Sequence, residues 1–309
     1  MGVIEAIGPE VQRIYCVDDA CPEGSGDFIE ANCRDPRVTV LRHEVNQGVG
    51  GAVMTGYRAA LADGAAVIVK IDGDGQMDPA LLPSFVAPIL RGDADYTKGN
   101  RFWDLKHIQR MPLVRRVGNL GLSFLAKLSS GYWDLFDPTN GYTAIHGSVA
   151  ARLPFESISH RYFFETDLLF RLNTLRAAVV DIPMDAKYGD ETSNLSVGKV
   201  LVEFAWKHLR NFTKRIAYNY FLRDLSIASL ELIAGSTLTM FALAFGGYHW
   251  ANAITTGEAT PVGTVMIATV AAISGIQFLL AFVGYDIANV PRRALHHALS
   301  APRQLGGKH

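Results

Sequence analysis

Cysteine is scarce and unpatterned, with only Cys16, Cys21 and Cys33 in 309 residues. No CxxC spacing occurs and no histidine pair completes a zinc site, so the three read as reduced packing residues. Their odd number favours a reducing compartment. Excess charge of either sign is also lacking, with 29 Lys and Arg against 30 Asp and Glu, so bulk attraction to nucleic acid is not expected. The opening "MGVIEAIGPE" carries two glutamates and no apolar h-region, and no cleavable signal peptide is expected. The GK[ST] of a phosphate loop is missing, and "GVGGAVMTG" falls short of the full GxGxxG spacing. No internal repeat or low-complexity tract appears.

Charge then disappears from one part of the chain. Residues 225–248, "LSIASLELIAGSTLTMFALAFGGY", hold a single charge, Glu231, and residues 262–285, "VGTVMIATVAAISGIQFLLAFVGY", hold none. Each suffices to cross a hydrocarbon core, which takes roughly 20 helical residues; the competing reading is a pair of buried core helices. The link 249–261 has no Lys or Arg. Lys207, Arg210, Lys214, Arg215 and Arg223 precede the first span, and Arg292, Arg293, Arg303 and Lys308 follow the second. This asymmetry predicts a multi-pass cell-membrane protein with both termini and the charged N-terminal part cytoplasmic, and Tyr248 and Trp250 as anchors at the outer interface. Residues 196–224 place Val200, Phe204, Leu209, Phe212, Ile216, Tyr220 and Phe221 at near-helical spacing among Lys and Arg. They suit a helix in the headgroup layer or one packed on the soluble domain. The sequons at Asn194 and Asn211 would then be cytosolic and unmodified.

Strand and helix signals alternate through the first 190 residues. "RIYCVDDA", "RVTVLRHEVN", "AAVIVKI" and "ADYTKGNRF" read as strands, and "QGVGGAVMTGYRAALADG" and "PALLPSFVAPILRG" as helices, the latter with Pro79 in its first turn. The alternation predicts an α/β domain with a parallel sheet covered on both faces and functional groups at the C-terminal strand ends.

One such end reads "IDGDGQMDP". Asp72, Asp74 and Gln76 stand at alternate positions with glycines between them, so the three oxygens can converge on one hard cation while the backbone turns tightly. Mg²⁺ or Mn²⁺ completed by diphosphate oxygens is the expected use; the plain alternative is a polar turn that ends a strand. A calcium-binding EF-hand loop is excluded, because its sixth and twelfth positions would be Met77 and Pro83. Asn46 and Gly48 open a glycine-rich helix start suited to a phosphate.

Taken in order, "VDDACPEGSGD", "LRHEVNQGVGGAVMTGY", "IDGDGQMDP", "KGNRF", "RRVGN", "DPTNGYTA" and "FFETDLLFRL" resemble the family 2 glycosyltransferases. The likeness is strongest to the polyprenyl-phosphate glycosyltransferases of the dolichyl-phosphate mannose synthase type, in the bacterial form with two C-terminal membrane helices. The resemblance implies a GT-A (Rossmann-like) catalytic domain over residues 1–195, amphipathic juxtamembrane helices over 196–224, two transmembrane helices within 225–290 and a cytosolic basic tail from 291 to 309. It implies inverting transfer of a hexose from a nucleotide-diphosphate sugar, of UDP-glucose or GDP-mannose type, to a polyprenyl phosphate, and a homo-oligomer. A different lipid acceptor, or a non-catalytic scaffold that binds nucleotide sugars, are the other readings.

Carried over by position, Asp18, Asp19, Asn46, Gly48, Asp72 and Glu165 fall on the nucleotide-sugar site, and Asp72, Asp74 and Gln76 on the metal. Arg101, Arg115, Arg116 and Asn119 fall on the acceptor phosphate, and Asp137, Arg101 and Asp74 on the catalytic centre. A solvated basic face for Arg115 and Arg116, and a turn cap for Asp137, are the structural alternatives. Two departures stand out. The family's arginine in "GFR" is Thr143 here, and its opening strand is missing. The sequence starts inside the helix that should follow that strand, so a start upstream of Met1, or other backbone in the strand's place, is expected.

Overall fold

The computed structural model describes residues 1–103, 113–185 and 197–300. Packing divides the chain into two units, Met1–Thr213 together with the segment from Pro291, and Lys214–Val290. The order is α1 (Gly2–Glu5), β1 (Ile14–Asp18), α2 (Ser25–Asn32), β2 (Val38–Arg42), α3 (Val49–Ala62), β3 (Val67–Lys70), α4 (Leu82–Arg91) and β4 (Tyr96–Asn100). There follow α5 (Leu113–Ser130), β5 (Thr143–His146), α6 (Gly147–Ala150), α7 (Phe164–Leu175), β6 (Val179–Pro183) and α8 (Val197–Ala217). The second unit holds α9 (Ile227–Thr256) and α10 (Val262–Ala288), after which α11 (His296–Ser300) belongs again to the first.

The four expected strands form, but the sheet is not one parallel array. β1 and β2 make a two-stranded parallel sheet, while β3, β5, β4 and β6 lie in that order in a second. β4 and β6 are parallel; β5 runs antiparallel to both β3 and β4. The reversal has a simple cause. The chain enters β5 at Thr143, which is in register with Lys70, the last residue of β3, and with Lys98 in the middle of β4. The loop before β5 therefore crosses the strand ends where a site is expected. The opening strand implied by the resemblance has no counterpart among the described residues. Residues 1–13 form α1 and turns, and Ile7 and Val11 pack against the cluster of Met77, Leu82, Phe85, Ile89, Tyr142, Ala144 and Ile182.

α4 starts and stops for local reasons. Asp78 accepts the Ala80 N–H at 3.0 Å ahead of the Pro79–Leu81 turn, and Gly92, at φ +81°, ends the helix in a left-handed conformation open to glycine. On α8 one face is buried in the first unit: Asn211 donates to Asp167 at 2.9 Å and His208 Nδ1 lies 2.8 Å from Ser129 Oγ. The other face leaves Trp206 and Leu209 more than half exposed. The reading of a helix packed on the soluble domain thus describes one side of this segment, and its other side is apolar and exposed.

In the second unit α9 and α10 are long and apolar enough to cross a membrane, with mean hydropathies of 1.6 and 2.2, and only 22% and 17% of their most apolar windows are buried. Core helices would be covered, so these two are not core helices. They meet at Gly235 and Gly275, where a Cβ on Gly275 would lie 2.7 Å from the Thr239 nitrogen. α9 runs through Tyr248 and Trp250 to a left-handed Gly257, so the connection is shorter than the composition implied.

Candidate active site

The turn after β3 and the loop before β5 meet. Asp74 Oδ1 accepts the Gln76 N–H at 2.9 Å, and Gly75, at φ +78°, makes the bend that brings Gln76 back. Asp72 Oδ1 lies 2.7 Å from the ammonium of Lys70, which is only 9% exposed. Gly141 closes over this pair: a Cβ there would stand 2.5 Å from Lys70 Nζ and 2.8 Å from Asp72 Oδ2. Tyr142, stacked on Phe85 with centroids 3.9 Å apart, donates its hydroxyl to the Asp78 carbonyl at 3.1 Å and pins the loop to the turn.

Asp137, on the same loop, has no exposed surface and grips Arg101 at the end of β4. Arg101 donates from Nε at 2.7 Å and from Nη2 at 3.1 Å, a two-pronged pairing that fixes the guanidinium plane. Its backbone N–H points at the same carboxylate, 3.3 Å away. Asn140 braces the loop by accepting the Tyr142 N–H at 2.8 Å on its side chain. Its backbone carbonyl accepts from the fully buried ammonium of Lys98. Burial lowers the Lys98 pKa to about 8, against the field of Glu165 and Asp137. Glu165, in the first turn of α7, is raised by burial while Lys98 and Lys70 oppose the shift. Asp181, which accepts the Phe136 N–H at 2.8 Å, is raised by burial to about 6.

The other residues singled out from the sequence divide into two groups. Asp18 accepts the N–H groups of Cys21 and Gly26 at 2.8 and 2.7 Å and so shapes the start of α2. Asp19 accepts the N–H groups of Gln47 and Gly48 at 2.8 and 2.7 Å and lies 2.6 Å from His43 Nδ1. Burial works against its charge, yet these hydrogen bonds win and its pKa is lowered. Asn46 donates to the Asp19 carbonyl at 3.0 Å. The glycine-rich start of α3 is not aimed at a ligand, because the Gly50 and Gly51 N–H groups donate to the His160 carbonyl. Gly48, at φ +85°, is pressed against that same carbonyl. The backbone of α5 carries Arg115, Arg116 and Asn119, but their side chains lie outside the described residues.

Lys70, Lys98, Asn140 and His43 were not anticipated. The signal for the lysines was present: each interrupts an otherwise uncharged strand just before a motif, in "VIVKI" and "YTKGN". The donor set of Asp72, Asp74 and Gln76 suits a hard divalent cation, being all oxygen with two carboxylates. Asp72 already accepts a cationic group in the cradle beneath Gly141. No cluster of three or more His, Cys, Asp or Glu competes for a metal among the described residues. Two clefts flank the turn, one of about 330 Å³ beside Asp74 and Asp78 and one of about 230 Å³ between Gln76, Trp103 and Asp185.

A glycosyl transferase family 2 model matches residues 3–153. An uncharacterised protein of Methanocaldococcus jannaschii is 31% identical over 177 residues, which is 57% of this chain and 71% of that protein. The undecaprenyl-phosphate mannosyltransferase of Micrococcus luteus is 30% identical over 173 residues, 55% of this chain and 70% of its own length. The chain belongs to glycosyl transferase family 2. Its α/β unit is accordingly of the GT-A kind, and the chain is a glycosyltransferase. The UDP-N-acetylglucosamine–dolichyl-phosphate N-acetylglucosaminyltransferase of Methanococcus voltae is 33% identical over 152 residues, 49% of this chain and 60% of that protein. A crystal structure of glucosyl-3-phosphoglycerate synthase from Mycobacterium tuberculosis with Mn²⁺, UDP-glucose and glycerol 3-phosphate has a TM-score of 0.49 and 19% identity, covering 69% of this chain and 73% of that one. The family 2 match contains every motif residue above except Glu165, which lies beyond its end.

Proposed function

We propose that this family 2 glycosyltransferase moves one sugar, a hexose, from a nucleotide diphosphate to a polyprenyl phosphate on the cytosolic face of a membrane. Two relatives are named for transfer to undecaprenyl phosphate and dolichyl phosphate, and this chain adds two apolar, largely uncovered helices to its catalytic unit. The observation that carries the reading is the junction of the Asp72–Gln76 turn with the Arg101–Asp137 pair through the single loop 137–142. One loop thereby sets the distance between a diphosphate-binding turn and an anion-facing arginine.

In this reading a lipid phosphate oxygen attacks the anomeric carbon from the face opposite the nucleotide. The new C–O bond forms as the bond to the diphosphate breaks, and configuration inverts. The nucleophile is already anionic at neutral pH, so no strong base is needed. Asp137 holds the guanidinium of Arg101, whose side chain is 35% exposed, in one orientation so that it screens the facing phosphates. Glu165 shapes the sugar pocket. Asp72, Asp74 and Gln76 would hold Mg²⁺ or Mn²⁺, which when bound supplies Lewis-acid stabilisation of the departing diphosphate. Arg115, Arg116 and Asn119 are assigned to the lipid phosphate, and both termini to the cytoplasm.

The test is incubation of membranes containing the full chain with labelled nucleotide sugars, a polyprenyl phosphate, and Mg²⁺ or Mn²⁺. A labelled glycolipid is expected, and Asp74→Ala should lower its formation by about 100-fold or more. Full activity in the variant, or transfer undiminished in excess EDTA, would overturn the reading.

A further inference from the structure

Lys70 sits where a family of hydrophobic neighbours would predict Val or Ile. It is the last residue of β3, follows "VIV", and keeps only 9% of its surface exposed. A buried ammonium needs a partner, and it takes Asp72, at 2.7 Å. The backbone of Gly141 encloses the contact, since even a methyl group there would press on both Lys70 Nζ and Asp72 Oδ2. A second buried ammonium, that of Lys98, has its charge opposed by that of Lys70. Lys70 also lies within the field of Glu165.

This changes the charge of the Asp72–Asp74 pair. Two carboxylates offset by one ammonium present a single net negative charge. A divalent cation arriving alone must displace the lysine and gains only the oxygens of one turn. A cation arriving with a nucleoside diphosphate brings anionic oxygens of its own, toward which the displaced ammonium can turn. We propose that Lys70 is an internal counter-ion that suppresses divalent-cation binding at Asp72 until a nucleoside diphosphate is present, so that cation and nucleotide enter as one coupled unit. Lys70 acts here as a positioning residue, through Asp72. The inference rests on the metal assignment above. By linkage the coupling is reciprocal: what the diphosphate does for the cation, the cation does for the diphosphate.

The experiment is titration of the full chain in detergent micelles or nanodiscs with Mn²⁺, followed by the paramagnetic resonance of free Mn²⁺, without nucleotide and with saturating UDP or GDP. The wild type should bind Mn²⁺ at least about ten-fold more tightly when the diphosphate is present, a difference of about 1.4 kcal/mol. In Lys70→Met, binding of Mn²⁺ alone should tighten about ten-fold, shrinking the difference, while Lys70→Arg should keep the wild-type pattern. Lys70→Gln serves as a second neutral replacement if the methionine variant does not fold. Equal Mn²⁺ affinity with and without diphosphate in the wild type would overturn the inference with no variant needed. So would a neutral variant that binds Mn²⁺ alone no better than wild type. If wild-type chain binds Mn²⁺ under neither condition, the metal assignment itself falls, and the inference with it.

Discussion

A fully buried amine such as that of Lys98 is costly, and its cost depends on pH. Burial lowers its pKa from 10.5 to about 8, with Glu165 and Asp137 resisting the shift. An unfolded lysine keeps its proton to about pH 10.4, so between about pH 8 and 10.5 the unfolded chain binds more protons than the folded one. Stability contributed by this residue therefore rises with pH across that window. Lys98→Met should flatten the rise, removing up to about 3 kcal/mol of pH-dependent stability. Thermal unfolding of the full chain in detergent from pH 7.5 to 10.5 checks this, and an unchanged slope in the variant would refute it. The residue scale was also where the sequence was most legible and most misleading. Asp72, Asp74 and Gln76 announced themselves because polar groups at alternate positions end an apolar run. Lys70 and Lys98 each stand as a lone charge in an otherwise uncharged strand, a signal that averaging hydropathy over the strand conceals. Asp18 and Asp19 were visible as acids at a strand end, but only coordinates reveal that their oxygens already accept backbone N–H groups.

Among the elements, strand β5 was invisible for a physical reason. Thr143–His146 is four residues long, has no alternation, and takes its direction from the loop before it rather than from its own composition. The strands β1 to β4 were legible because each is an apolar or alternating run with polar punctuation. The most distant contact could not be read at all. Asp95, with no exposed surface, accepts the N–H groups of Ala178 at 2.8 Å, Leu295 at 2.7 Å and His296 at 2.9 Å, and lies 2.7 Å from His296 Nδ1. His296 also stacks on His146, with ring centroids 4.2 Å apart. Hydrogen bonds to a carboxylate are stronger than neutral ones, so Asp95→Asn should loosen α11. Amide hydrogen exchange at residues 295–299 should speed up by about ten-fold or more, with little change in β1 and β2. His296→Ala, which leaves the two backbone donors of that segment in place, should have a smaller effect. Exchange that stays slow in Asp95→Asn would show that the segment is held by other contacts.

At the scale of the whole molecule, composition divided the chain well, because the loss of charge after Leu225 coincides with two long uncovered helices. It did not reveal how the second unit is closed on itself. Arg215, 1% exposed, donates from both terminal nitrogens to Asp286 at 2.6 and 2.9 Å, and Tyr220 adds its hydroxyl at 2.6 Å. Removing one partner of a buried pair leaves the other charge uncompensated, at a cost of about 3–5 kcal/mol, whereas an apolar pair of similar volume can be nearly neutral. Asp286→Leu alone should therefore destabilise the Lys214–Val290 unit far more than Arg215→Met combined with Asp286→Leu. A double-mutant cycle on unfolding in detergent measures the difference; additive effects would mean that the two charges are not coupled.

The carboxylate of Asp95 waits for donors that lie 200 and 201 positions later in the chain. A ribosome makes Asp95 early and Leu295 only after both apolar helices have been synthesised. The last contacts of the first unit thus close only after both long apolar helices have left the ribosome, so its final packing is ordered in time behind their synthesis.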